Sequence, residues 1–380
     1  MSSNVESHLP SIKEVIKELS RESEQDKAAA HADGSYLSNV DSGHLISRER
    51  EYRDAEKHWV RTRWLECARE IASANGKQIT YLTLPAYYRI DISLFHKHGL
   101  LQLVQSDGST LAVAAFETDP TKFARMASQT PKLQLFGHAA LEDVIVDAKN
   151  KYYTELMSLF PFDVVNLDLT TSLTPKHEGP YSRVMHALND ILARQAAHPK
   201  LWALFLTFRN VKDEWEQTAL GTFLGNLQQN LDLYPKVREK FAEKYQVSTV
   251  SALAGQKVEA AITQSVVKWL VDRAHSHNVE VVNIRSYYYM RYVTDKPDYV
   301  ITKLIMQFRR GQVSPHAIPT KDTPRQPWMD DDLVRSIAQN RHSDVEDILL
   351  RSPDHVVDGL EREVDELIRG VDETSRGTFG

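Results

Sequence analysis

The sequence predicts an α/β domain on an open, mostly parallel sheet that closes with an antiparallel strand pair. Phe162 to Leu169 is a short apolar run with an acid towards each end, Asp163 and Asp168. A helical pattern from Tyr181 to His198 follows, then a second apolar run, Leu201 to Phe208. Strand, helix, strand at this spacing is a parallel βαβ unit. The alternation extends back through three earlier strand-like runs. After it stops, two long runs, Val279 to Tyr292 and Tyr299 to Phe308, flank the turn Thr294-Asp295-Lys296-Pro297-Asp298 and predict an antiparallel pair.

Taken in order, residues 1–33 hold one helical pattern, with Leu9, Ile12, Val15, Ile16 and Leu19 at helix-like spacing. A second runs from about Ser47 to Ala74, where Trp59, Trp64, Leu65, Ala68, Ile71 and Ala72 form an apolar stripe. Asn75-Gly76 ends it. Ile79 to Leu84 reads as the first strand, stopped by Pro85, and Ile90 to His98 as a helix. Leu111 to Phe116 is the second strand, ending in Glu117, and Asp119-Pro120 opens a helix. Lys132 to Phe136 is the third strand, ending at Gly137-His138, and a single helix is expected from Leu141 to Phe160. About seventy residues after Arg209 read as helices. Pro315, Pro319, Pro324 and Pro327 mark a linker, and the end of the chain is helical, with Leu360, Val364, Leu367 and Ile368 in a stripe.

Bulk properties bound the function. From Asp330 onward there are 14 acids and 6 bases, so the remainder carries 38 acids and 40 bases. A near-neutral body with an acidic tail has no general electrostatic footprint for nucleic acid, though a local basic patch is allowed. No apolar run approaches the roughly 18 residues of a membrane span. The first thirty residues lack a signal-peptide core. A single cysteine, Cys67, excludes an intramolecular disulfide and points to a reducing cytoplasm.

Five alternating strands followed by an antiparallel pair resemble the class I S-adenosylmethionine-dependent methyltransferase fold, a Rossmann-like sheet. The resemblance covers about Gln78 to Arg310. Set beside the residue patterns above, it divides the chain into a helical N-terminal extension over 1–77, a methyltransferase-like domain over 78–310 with a helical insertion at 210–278, a Pro-rich linker at 311–329 and an acidic helical tail at 330–380. In that family an acid at the tip of the second strand holds the cofactor's ribose hydroxyls, the position of Glu117, and a carboxylate accepts two hydroxyl donors well. Gly137-His138-Ala139 occupies the adenine-reading end of the third strand. Phe162-Asp163 with Asp168 is similar to the Phe-Asp-x-x-x-x-Asp pattern of tRNA guanine dimethyltransferases, where the second acid lies beside the transferring methyl.

Three departures accompany the resemblance. The first strand runs into Leu84-Pro85-Ala86-Tyr87-Tyr88 rather than a Gly-x-Gly loop, so Pro85 and Ala86 would face the methionine moiety where glycine gives close approach. Leu169-Thr170-Thr171 replaces the Pro-Pro-aromatic segment that holds a target amine. His138 replaces the adenine-reading acid.

Other constellations are weaker. His96 and His98 do not share a helix face, and no metal is expected. Alternation puts Arg285, Tyr287, Tyr289 and Arg291 on one strand face, which either stacks nucleic-acid bases or is covered by the helical insertion. The acidic C-terminal helices either dock a protein partner or a second copy, or pack on the chain's own core. Two functional readings follow. One is an S-adenosylmethionine-dependent methyltransferase acting on nucleic acid, with Asp168 and Asp163 catalytic. The other is an inactive scaffold or adaptor in a multi-protein assembly, a bacterial defence complex being one example.

Overall fold

The computed structural model describes residues 55–85, 88–104, 109–129, 131–169, 171–178, 182–254, 256–292, 297–311, 343–352, 359–360 and 362–369. The expected first helix (1–33), Ala86 and nearly all of the Pro-rich linker lie outside them.

One sheet organises the chain, in the order β3-β2-β1-β4-β5-β7-β6-β8. The parallel strands are β1 (Tyr81–Thr83), β2 (Thr110–Glu117), β3 (Lys132–His138), β4 (Val164–Asp168) and β5 (Trp202–Arg209). β6 (Val279–Tyr292) and β7 (Pro297–Arg310) form the antiparallel pair, with β7 inserted beside β5. The two-residue β8 (Ser343–Asp344) borders β6. The result is a Rossmann-like mixed sheet, as the alternation predicts.

Helices cover both faces. On one lie α1 (Ala55–Asn75), α2 (Ile90–Lys97), α10 (Val345–Leu350) and the helical segment 362–369, packed on Tyr81, Val113, Val164, Phe205 and Ile305. α3 (Pro120–Ser128) follows β2, with Asp119 accepting from the backbone of Thr121 and Lys122 as its N-cap. On the other face lie α4 (Leu141–Val146), α5 (Tyr153–Leu159), α6 (Arg183–Gln195), α7 (Gln217–Leu233) and α9 (Gln256–Ser276), packed on Leu82, Val165, Leu204 and Met306. α8 (Pro235–Tyr245) joins α7 in a satellite core around Leu227, Phe241 and Tyr245. Val164, Val165 and Leu167 are buried because β4 is central, with helices over both of its faces.

Two expectations are corrected, and one open alternative is decided. The helix from Leu141 to Phe160 is two helices. Asp147 accepts from Lys149 N at 2.9 Å and Asn150 from Tyr152 N at 3.1 Å, so short polar side chains divert the backbone donors that a continuous helix needs. Of the two readings of the C-terminal stripe, the structure shows packing on the chain's own core: Leu360, Val364, Leu367 and Ile368 are buried against α1 and α2. Glu363 there reaches His58 (3.2 Å) and Glu366 reaches Lys97 (3.0 Å). Finally, the Arg285–Tyr289 face of β6 is covered by α1, not by the helical insertion: Tyr289 is 2% exposed and Tyr287 sits edge-on to Trp59.

Candidate functional site

The carboxyl ends of parallel strands are where such sheets collect ligands. Glu117 and His138 are register partners at the tips of β2 and β3. The Glu117 carboxylate is half-buried and accepts from Asp119 N at 2.9 Å. The His138 ring contacts the Thr118 carbonyl at 2.9 Å and stacks on Phe123 at 5.0 Å. Gly137 has a packing reason for lacking a side chain: a Cβ there would lie 2.4 Å from Cε1 of Phe116. Pro85 is buried just after β1.

Beyond Pro85 the turn into α2 needs one residue with positive φ, and Arg89 takes it at φ 49. Glycine is the usual occupant. Arg89 instead reaches the carbonyl of Pro131 at 3.2 Å, tying the turn to the end of α3. Burial brings its pKa down to about 10, against the pull of Asp91. Asp91, in the first turn of α2, accepts from Tyr81 Oη at 2.7 Å and Thr83 Oγ1 at 2.8 Å. Asn166 Nδ2 donates to Tyr81 Oη at 2.9 Å. Burial and the Asp91 charge together push the Tyr81 hydroxyl well above its ordinary pKa, so it remains a donor.

Asp168 and Thr207 are register partners, as are Thr207 and Lys303, so the three lie in one row across β4, β5 and β7. The lysine stem crosses the small threonine, and Nζ donates to Asp168 Oδ1 at 3.0 Å. The Lys303 side chain is 4% exposed and that of Asp168 32%. Burial alone would raise the Asp168 pKa, but Lys303, Thr207 and Lys57 together outweigh it and hold the group below the ordinary carboxylate range. Burial lowers the Lys303 pKa, with Asp168 opposing. Lys303 also lies 5.0 Å from the centre of the Trp64 ring.

Asp163 stands elsewhere. It is five residues before Asp168, about 16 Å down the strand at the amino end of the sheet. There it accepts from Asn75 Nδ2 (2.8 Å), Lys77 Nζ (2.9 Å), Thr80 N (2.9 Å) and Thr80 Oγ1 (3.0 Å). His198 Nε2 lies 3.2 Å away. Burial opposes its ionisation, yet His198, the Thr80 amide and Lys77 together hold its pKa far below normal. This carboxylate joins the end of α1 to the segments just before β1 and β5, and the structure does not bring it together with Asp168.

Of the proposed nucleic-acid residues, Arg285 pairs with Glu70 at 3.3 Å, and the Tyr287 and Tyr289 rings lie beneath α1. The side chain of Arg291 is outside the described residues.

A family profile described as PP_RS20740-like matches residues 124–372. The chain belongs to the PP_RS20740-like family. No curated protein and no solved structure matches it. The PP_RS20740-like match takes in His138, Asp163, Asp168 and Lys303, and begins after Glu117 and the whole of α1. Among the described residues no helix is long and apolar enough to cross a membrane.

Sequence reasoning missed Lys303, Asp91 and Arg89. Lys303 had a signal, a lone base in the apolar run Tyr299 to Phe308. Asp91 had none, since an acid in a first helical turn reads as an ordinary dipole partner.

Proposed function

We propose that the chain is a methyltransferase-like protein that no longer transfers methyl groups and serves as a cytoplasmic binding scaffold. One observation carries this reading: Asp168, where the resemblance puts the residue that orients an acceptor amine, already accepts from Lys303 at 3.0 Å. Methyl transfer depends on holding an amine lone pair in line with the methyl–sulfur bond, and here one oxygen of the carboxylate that would orient the amine is engaged by a lysine, with its charge already compensated. The glycine-free turn and buried Pro85 support the same reading.

Methyl transfer to a nucleic-acid base is the second reading. Glu117 and His138, paired at adjacent strand tips, favour it. So does the sheet, five parallel strands extended by an antiparallel pair as the resemblance implies.

Calorimetric titration with S-adenosylmethionine and its demethylated product separates the two. The scaffold reading expects no heat at millimolar ligand. Micromolar binding that disappears in Glu117→Ala would overturn it in favour of the enzyme.

A further inference from the structure

The chain leaves β5 at Arg209 and passes through a short 3-10 turn, Lys212–Glu214, on its way to α7. Asn210 anchors this exit. Its backbone N–H donates to the Val300 carbonyl at 2.8 Å, and its Nδ2 donates to the Glu259 carbonyl at 2.7 Å and to Thr263 Oγ1 at 2.9 Å. The exit is thereby tied to β7 and to the first turns of α9.

Between the exit and the start of α9 lies an open cleft of about 410 Å³. That is room for a small molecule. Val211, Leu253 and Val258 give it apolar walls, and Lys212, Asp213 and Glu259 supply its charged groups, which sum to −1. Lys212 and Asp213 are exposed, whereas Glu259 is half-buried. Among the described residues Glu259 forms no ion pair, and its Oε2 is buried without a hydrogen-bond partner. Burial raises its pKa, against its own backbone N–H and the charge of Lys212. Asn210 beside it is 0% exposed, and its Oδ1 is likewise without a donor. A buried acceptor left unpaired is unfavourable, so this corner of the fold is short of donors.

The surroundings narrow what can supply one. A hard divalent cation takes several oxygen ligands, and these walls are mostly hydrocarbon. A guanidinium grips both oxygens of a carboxylate, whereas the Glu259 backbone N–H already engages this one. An ammonium needs a single oxygen, and a short alkyl body takes valine and leucine side chains out of water.

We propose that the cleft binds a small aliphatic amine, its ammonium donating to the Glu259 carboxylate and its alkyl chain lying on Val211, Leu253 and Val258. The site goes beyond the scaffold reading. It stands at the exit of β5, away from Glu117 and His138 at the tips of β2 and β3, and does not depend on whether S-adenosylmethionine binds.

The test is calorimetric titration of the full chain, at low ionic strength, with n-pentylamine and with 1-pentanol, which has the same alkyl chain and no charge. Saturable binding of the amine is expected below about 10 mM, with the alcohol at least about tenfold weaker. Glu259→Gln keeps the shape and removes the charge, and should weaken the amine by about tenfold or more. Glu243→Gln, which alters an exposed carboxylate on α8, should leave it unchanged. Ala254 is exposed and lines the cleft, so Ala254→Trp fills it while keeping Glu259, and decides the matter where Glu259→Gln fails to fold. Absence of saturable heat with the amine overturns the proposal. So does equal affinity for the alcohol, or undiminished binding in either cleft variant.

Discussion

Lys303 reaches Asp168 across an intervening strand, with Thr207 the residue between them in register. The two ends of this pair differ in their access to water: Asp168 keeps a third of its side chain exposed, and Lys303 keeps almost none. Removing the carboxylate therefore strands a buried ammonium, whereas removing the ammonium leaves a carboxylate that solvent still reaches. Asp168→Ala is expected to cost about 3 kcal/mol and Lys303→Met less than about 2 kcal/mol, below the full range for buried pairs because of that exposure. Urea denaturation of both variants checks the order, and a larger loss in Lys303→Met would refute it.

Asp163 makes stability depend on acidity. Its folded-state pKa is depressed below the ordinary 3.8, so its contribution is complete above that value and disappears as pH falls towards the folded value. Thermal unfolding of wild type should lose more stability between about pH 5 and pH 2 than that of Asp163→Asn, which has no proton to take up. Parallel curves for the two proteins over that interval would rule out Asp163 as the source.

Gly137→Ala tests whether the glycine at the tip of β3 is there for packing. The new Cβ would sit 2.4 Å from the Phe116 ring, which is itself 2% exposed. Overpacking of this kind costs about 1–3 kcal/mol. Phe116→Leu in the same chain should recover part of the loss, and a double mutant no better than the sum of the singles would remove the explanation.

The C-terminal stripe is core. Leu367→Ala should destabilise by about 2–4 kcal/mol, as for other buried leucines. Truncation after Pro327 takes away Val345, Leu349, Leu360, Val364, Leu367 and Ile368 together, and should lower the melting temperature sharply without changing oligomeric state. A truncated chain as stable as the intact one would show that the stripe is dispensable to the core.

The sheet was largely legible because parallel strands buried on both faces write themselves as continuous apolar runs, as Val164–Leu167 and Trp202–Phe208 do. Their order is not written in the sequence, since no local pattern says that β7 inserts between β5 and β6. The site was less legible. Glu117, His138 and Asp168 were placed at strand tips correctly, but what each one touches is set by residues far away in sequence, and Lys303 lies 135 positions from Asp168. The motif resemblance groups Asp163 with Asp168, although five residues of extended chain carry them to opposite ends of the sheet. Tyr289 illustrates the same limit: alternation gives its face, and only the path of α1 decides that the face is covered.

That path has a consequence for how the protein is made. Trp64 emerges from the ribosome long before Phe205 and Lys303, the groups its ring rests on. Glu70 likewise waits for Gln307, 237 positions later, which donates to it at 2.6 Å. Until β5 and β7 are synthesised, α1 carries Trp64, Leu65, Ala68 and Ile71 without the strands that cover them. Contacts this distant in sequence form late and slowly. The nascent chain therefore holds a sticky amino-terminal helix in waiting through most of translation, a natural point of engagement for chaperones.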